Sequence, residues 1–204
     1  MDKQMRIFFA RHGQTDWNIL AKVQGTTDIP LNETGIKQAE QLSETLMSEG
    51  IQLRKVYTSY QKRAVKTAEI VSERYQIDYE IVQGLEEMNL GDFEGHTWDE
   101  IQKSYSAELE KWIENKRYNK TPNGESYQMV LERLIHALDE ILYQEKKENV
   151  SDSDILIVTH GAVIMSLLAI QRNVPFEQAY TIVIENAKPI EFSMEDLAYI
   201  KEQL

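Results

Sequence analysis

The feature that most constrains this chain is a rhythm. Three short apolar runs, residues 5–10, 55–58 and 155–158, are each followed by a polar turn and then a helical pattern. Apolar runs of this length between turn residues read as buried strands. Strand, turn and helix in repetition is how a parallel sheet with crossover helices is written in sequence. Asn32-Glu33-Thr34-Gly35 opens a first helix that runs to Glu49 and stops at Gly50, a left-handed C-cap position. Residues 61–75 form a second, with Ala64, Ala68 and Val71 on one face.

Beyond residue 95 the rhythm changes. Thr97-Trp98-Asp99-Glu100 has the capping-box pattern and predicts a helix reaching about Asn115, before Pro122-Asn123-Gly124-Glu125 breaks the chain. A long amphipathic helix follows, with Tyr127, Val130, Leu131, Leu134, Leu138, Ile141 and Leu142 at helical spacing. Residues 162–170 are apolar almost all round and predict a buried helix. Residues 181–185 and 189–193 alternate about Asn186-Ala187-Lys188, which predicts a hairpin at the sheet edge. The expected fold is α/β: a three-layer α/β/α domain over residues 1–204, with a mostly parallel central sheet, an antiparallel edge strand and a small helical cap at about 95–124.

Composition narrows the function. The 204 residues are 42% hydrophobic and 27% charged, ordinary for a globular protein of the cytosol, and contain no cysteine, which excludes disulfides and thiolate metal sites. The apolar run at residues 7–10 is too short for a signal peptide and ends in Arg11-His12; no stretch approaches the ~20 apolar residues of a membrane span. A cytoplasmic protein is expected. The net charge of −12 argues against nucleic-acid and membrane-surface partners.

Open parallel sheets bind ligands beyond the carboxyl ends of their strands. The first run ends in Arg11-His12-Gly13, the second leads to Ser59 and Arg63, and the third ends in Thr159-His160-Gly161. Histidines and arginines from three separate segments therefore converge on one rim. An imidazole is a competent nucleophile near neutral pH, since its ordinary pKa is about 6.5. Arginines match phosphate oxygens in charge and geometry, and helix N-termini favour anions. A proton donor for a leaving alkoxide is available in the acidic stretch Leu85-Glu86-Glu87-Met88-Asn89-Leu90-Gly91.

Arg11-His12-Gly13-Gln14-Thr15, with Trp17 and Asn18, resembles the signature of the histidine phosphatase (phosphoglycerate mutase-like) superfamily. The resemblance extends along nearly the whole chain. Gln24-Gly25, Asp28, Pro30-Leu31 and Gly35 match the next block, and Ser59, Arg63, Ala64, Thr67 and Ala68 the one after. Leu85, Glu87, Gly91, Glu94 and Gly95 follow, then Pro122, Gly124-Glu125-Ser126 and Arg133, and finally Thr159-His160-Gly161. Asn32 departs from the more usual Ser or Thr, and Asp16 fills a tolerant slot.

The resemblance implies specific roles. His12 carries the phosphoryl group; Arg11, Asn18, Arg63, His160 and the backbone of Gly161 hold its oxygens; Glu87 is the acid and base; Gln24 and Gly25 lie against substrate. No metal and no cofactor are implied. Glu86 is then a loop charge, His96 and His136 are structural, and Trp98, Tyr105 and Trp112 pack the cap. The implied partner is a small phosphorylated metabolite, while the oligomeric state stays open. Hydrolysis is favoured because the stretch after Glu87 is short and acidic, without the basic insertion of the cofactor-dependent mutases. A 2,3-bisphosphoglycerate-dependent mutase is the alternative, and a non-catalytic phosphate-binding regulator is the alternative of another class. The net charge is no obstacle, because surface carboxylates are screened over about 8 Å at physiological salt.

Overall fold

The computed structural model describes residues 5–148 and 154–204. Its strands are β1 (Ile7–Arg11), β2 (Leu53–Thr58), β3 (Tyr79–Ile81), β4 (Asp154–Thr159) and β5 (Pro189–Phe192), in the spatial order β3-β2-β4-β1-β5. All pairings are parallel except β1 with β5. The helices are α1 (Asp16–Ile19), α2 (Glu33–Ser48), α3 (Lys62–Tyr75), α4 (Trp98–Ser104), α5 (Ser106–Glu114), α6 (Tyr127–Lys147), α7 (Gly161–Gln171) and α8 (Met194–Glu202). A mostly parallel α/β sheet with an antiparallel edge is what the sequence predicts.

Side-chain alternation along the strands divides the interior into two layers. Ile7 and Phe9 of β1, Ile155 and Ile157 of β4 and Phe192 of β5 pack with α6, α7 and α8. Phe8, Ala10, Leu156 and Val158 point the other way, onto Leu42 and Leu46 of α2 and Ala64, Ala68 and Val71 of α3. A period-two strand covered on both faces must be apolar throughout, and every residue of β4 is buried. The Phe9 and Phe192 rings meet edge to face at 5.1 Å and fasten the antiparallel edge to the sheet. Truncating either to Ala would cost about 3–5 kcal/mol.

Several local expectations change. The predicted hairpin does not form: residues 181–185 contribute no strand, and β5 pairs with β1 instead. The alternation there is real, with Ile182 and Ile184 buried and Val183 exposed. The segment, however, rides over the end of β1, where Asn186 bridges Arg11 and the Ala187 N–H donates to the Arg11 carbonyl. The single helix expected from Thr97 to Asn115 is two, broken at Tyr105, whose φ of −133° is not helical. Short α1, β3 and α8 are additions. Asn32 caps α2 as Ser or Thr would, its Oδ1 accepting from the Gly35 N–H at 2.9 Å.

Residues 91–115 pack as an aromatic unit. Phe93 is fully buried among Trp98, Tyr105 and Trp112. Trp98 and Trp112 stack at 6.0 Å with 5° between planes, Trp112 stacks on Tyr127 of α6, and Tyr127 meets Phe176. His96 packs against Tyr105, and exposed His136 pairs along its own helix with Glu140. At its base the unit is tied to the loop after α1, where the Val23 N–H donates to His96 and the Gly95 N–H to Val23.

Candidate active site

The carboxyl ends of β1, β2 and β4 bring Arg11, His12, Ser59, Arg63 and His160 together. His12 follows β1 directly, held by its own N–H to the Thr159 carbonyl and by the Asn186 amide donating to its carbonyl at 2.8 Å. The ring is buried, and Nδ1 lies 2.7 Å from the Gly13 carbonyl. A carbonyl only accepts, so Nδ1 carries the proton and Nε2 keeps its lone pair. Burial first, then the charges of Arg11 and Arg63, hold the His12 pKa well below its ordinary value. The imidazole is therefore neutral and nucleophilic at neutral pH.

His160 stands at the N-cap of α7, its ring 5.2 Å from that of His12. Ser59 Oγ lies 2.7 Å from its Nε2, while its buried Nδ1 has no protein partner among the described residues. Burial and then the nearby Arg63, His12 and Arg11 depress its pKa as well. The arginines are anchored by carbonyls rather than by carboxylates. Arg63, fully buried in the first turn of α3, donates to Thr27 O and Gly25 O, both at 2.7 Å. Arg11 donates to Ile184 O at 3.0 Å. In both, Nε is buried without a partner. Desolvation lowers both pKa values, partly offset by the charge of Glu87.

Glu87 comes from the loop after β3. Its Oε1 accepts from the Met88 N–H at 2.9 Å and its Oε2 from the Ala162 N–H at 3.3 Å, in the first turn of α7. A Cβ built on Gly161 would sit 3.5 Å from Arg11 Nε and 3.8 Å from Glu87 Oε2. Arg11 and Glu87 thus flank the start of α7, where the helix dipole favours an anion.

The remaining expected residues are placed less directly. Asn18 closes a capping box on α1: its Oδ1 accepts from Thr15 N and Oγ1, which leaves its NH2 without a partner among the described residues. Gln24 is buried and accepts from Thr15 Oγ1. Gly25 has φ +49°, and a Cβ there would overlap the Glu94 carboxylate at 2.0 Å; its carbonyl receives both Arg63 and Gln61. Glu86 is not a free loop charge. It is largely buried, accepts from Gly84 N at 2.8 Å and approaches Arg133 at 3.4 Å.

Three supports were not assigned from sequence. Glu94 accepts from the backbone and hydroxyls of Thr26 and Thr27 and so clamps the loop that seats Arg63. Thr67 accepts from the Gly13 N–H. Arg133, reaching over from α6, donates to the carbonyls of Gly84, Glu86 and Glu87 and to both oxygens of Glu125. Motif position marked each residue, but only the fold reveals what it touches. Among the described residues no three His, Asp or Glu side chains are arranged to hold a metal ion, and no helix is long and apolar enough to cross a membrane.

Comparison with known proteins accords with this geometry. A phosphatase of uncharacterised role from Bacillus subtilis is 34% identical over 192 residues, covering 93% of this chain and 89% of its own. The 6-phosphofructo-2-kinase/fructose-2,6-bisphosphatase of Gallus gallus is 34% identical over 163 residues; this chain matches 32% of its length. Among solved structures, a mycobacterial glucosyl-3-phosphoglycerate phosphatase in complex with VO3 superposes with a TM-score of 0.80 at 28% identity, covering 93% of this chain and 91% of that one. The family model for the histidine phosphatase superfamily (branch 1) matches residues 7–199, and the chain belongs to that superfamily.

Proposed function

We propose that the protein is a metal-independent phosphomonoesterase for small phosphorylated metabolites, working through a phosphohistidine on His12. One observation carries the reading. The guanidinium groups of Arg11 and Arg63 act on the His12 imidazole, Arg63 fully buried and Arg11 partly so, each with a buried, unpartnered Nε–H and no carboxylate salt bridge among the described residues. Buried charge is costly unless it is compensated, so such a pocket is built for an anion. Two guanidiniums, the free Nδ1 of His160 and the start of α7 match the oxygens of a phosphoryl group in charge and number of donors.

In the first half-reaction Nε2 attacks phosphorus, the P–O ester bond breaks, and the Glu87 carboxyl gives its proton to the departing oxygen. In the second, Glu87 takes a proton from water, the water oxygen bonds to phosphorus, and the N–P bond breaks to release phosphate. Neutral His12 is the form that can attack, so its depressed pKa suits the step. The arginines stabilise charge on the equatorial oxygens throughout.

The test is hydrolysis of p-nitrophenyl phosphate in EDTA by the native protein and by His12→Ala, with acid-labile, base-stable phosphoprotein trapped during turnover. Native turnover in EDTA that vanishes in the variant is expected. Equal turnover in both would overturn the role of His12. No hydrolysis, but phosphoryl exchange between phosphoglycerates primed by the bisphosphate, would favour the mutase.

A further inference from the structure

Beside Glu87 lies a cleft of about 530 Å³. Glu86, Glu87 and Glu125 line it, and among the described residues Arg133 is the sole cation that does. That cation has nothing left to give. A guanidinium has five N–H donors. Those of Arg133 meet Gly84 O at 2.9 Å, Glu86 O at 2.8 Å, Glu87 O at 3.1 Å and Glu125 Oε1 and Oε2 at 2.9 and 3.1 Å. An anionic group entering here would therefore face three carboxylates with no free cationic donor to receive it, only the neutral donors of Thr26, Tyr60, Gln83 and Asn89.

A second observation says what would be received. Glu86 Oε1 is buried and accepts no hydrogen bond from the described residues, although Oε2 of the same carboxylate is bonded. A buried acceptor left open favours a ligand that brings an O–H or N–H. Across the cleft, Tyr60 and Ile81 are 56% and 52% exposed, large apolar faces on a wall otherwise polar. An aromatic and an aliphatic face suit the C–H face of a sugar or polyol.

Resting on the phosphatase reading above, we infer that the cleft holds the alcohol part of the substrate, and that this part is uncharged and hydroxyl-bearing. Phosphate monoesters of sugars or polyols fit it; bisphosphates and phosphorylated carboxylic acids do not. A single like-charge contact at partly buried sites is worth on the order of tenfold in binding or more.

The experiment compares kcat/KM for matched pairs: glycerol 3-phosphate with 3-phosphoglycerate, and fructose 6-phosphate with fructose 1,6-bisphosphate. The neutral alcohol should win in each pair by about tenfold or more. Rising ionic strength should shrink the margin, as should Gln83→Lys, which adds a cation to the wall, and Glu86→Gln, which removes an anion. A preference for the anionic member of either pair, or ratios unmoved by both variants, would overturn the inference and leave the phosphatase reading standing. Failure to hydrolyse any ester, p-nitrophenyl phosphate included, would overturn both.

Discussion

The two sides of the site are built on opposite plans. The phosphate side hangs from the ends of β1 and β4 and the first turns of α3 and α7; its charges are positive, wholly or partly buried and short of partners. The acid side is a loop over residues 84–89, negative, open to a cleft, and tied down by side-chain bonds from α6. The first plan fixes donors where backbone geometry allows no adjustment. The second lets one carboxylate be aimed while the wall beyond it varies. On the proposed mechanism, chemistry common to every phosphate ester would belong to the former, and discrimination among alcohols to the latter.

The sharpest way to break that division is to compare losses across leaving groups. Glu87→Gln should lower kcat by about 10²–10⁴ on alkyl phosphates, which need a proton for the departing alkoxide, and far less on p-nitrophenyl phosphate. Arg63→Gln should lower kcat/KM by about 10²–10³ on both alike, because it removes a donor to the phosphoryl oxygens. Circular dichroism and Tm would verify that each variant is folded. If the two variants showed the same leaving-group dependence, the separation of roles would be wrong.

A smaller effect sharpens the comparison. Arg133 touches no reacting atom; it positions the loop carrying Glu87. Arg133→Gln should cost up to about 10²-fold, as misplacements near 1 Å do, and the loss should grow as the leaving group worsens. A loss equal on alkyl and aryl esters would mean that Arg133 merely supports the fold.

The smallest test concerns stability. In the unfolded chain His12 and His160 titrate near 6.5; in the folded protein burial and the arginines push both well below that value. Above about pH 6.5 their contribution to stability is complete. As pH falls from there through the folded values, the unfolded state binds protons first, and each histidine removes up to about 1.4 kcal/mol per pH unit. Tm measured from pH 7 to pH 5 should therefore fall less steeply in His12→Asn than in the native protein. Parallel curves would show that the ring is not held neutral.

How much of this was legible in the sequence follows the same division. His12, Arg63 and His160 stand at the ends of apolar runs or at the starts of helices, so the pattern that predicts the sheet also brings them together. Elements with little buried surface leave no such trace. β3 is three residues, all exposed, and has no apolar face to print a period. α1 is one turn long. α8 does carry a capping box, from Ser193 to Asp196, but Ser193 coincides with the end of the expected strand, and the alternation before it has the period of a hairpin. That pairing was lost in a competition no local pattern records: β1 had an open edge, and β5 took it. Arg133 is the clearest case of hidden function. Its motif position marks it, but the helix pattern shows only a polar residue on an amphipathic helix, and its task depends on a loop 46–49 residues away in sequence.

The aromatic stack that joins α5 to α6 also gives this enzyme a built-in optical reporter. Trp98 and Trp112 stack nearly parallel at 6.0 Å, and the stack continues from Trp112 onto Tyr127. Rings so close and so parallel share their electronic excitation, and the shared transition is strongly chiral. Movement of residues 91–115 away from α6 would decouple the rings, and near-ultraviolet circular dichroism would register it without any attached label.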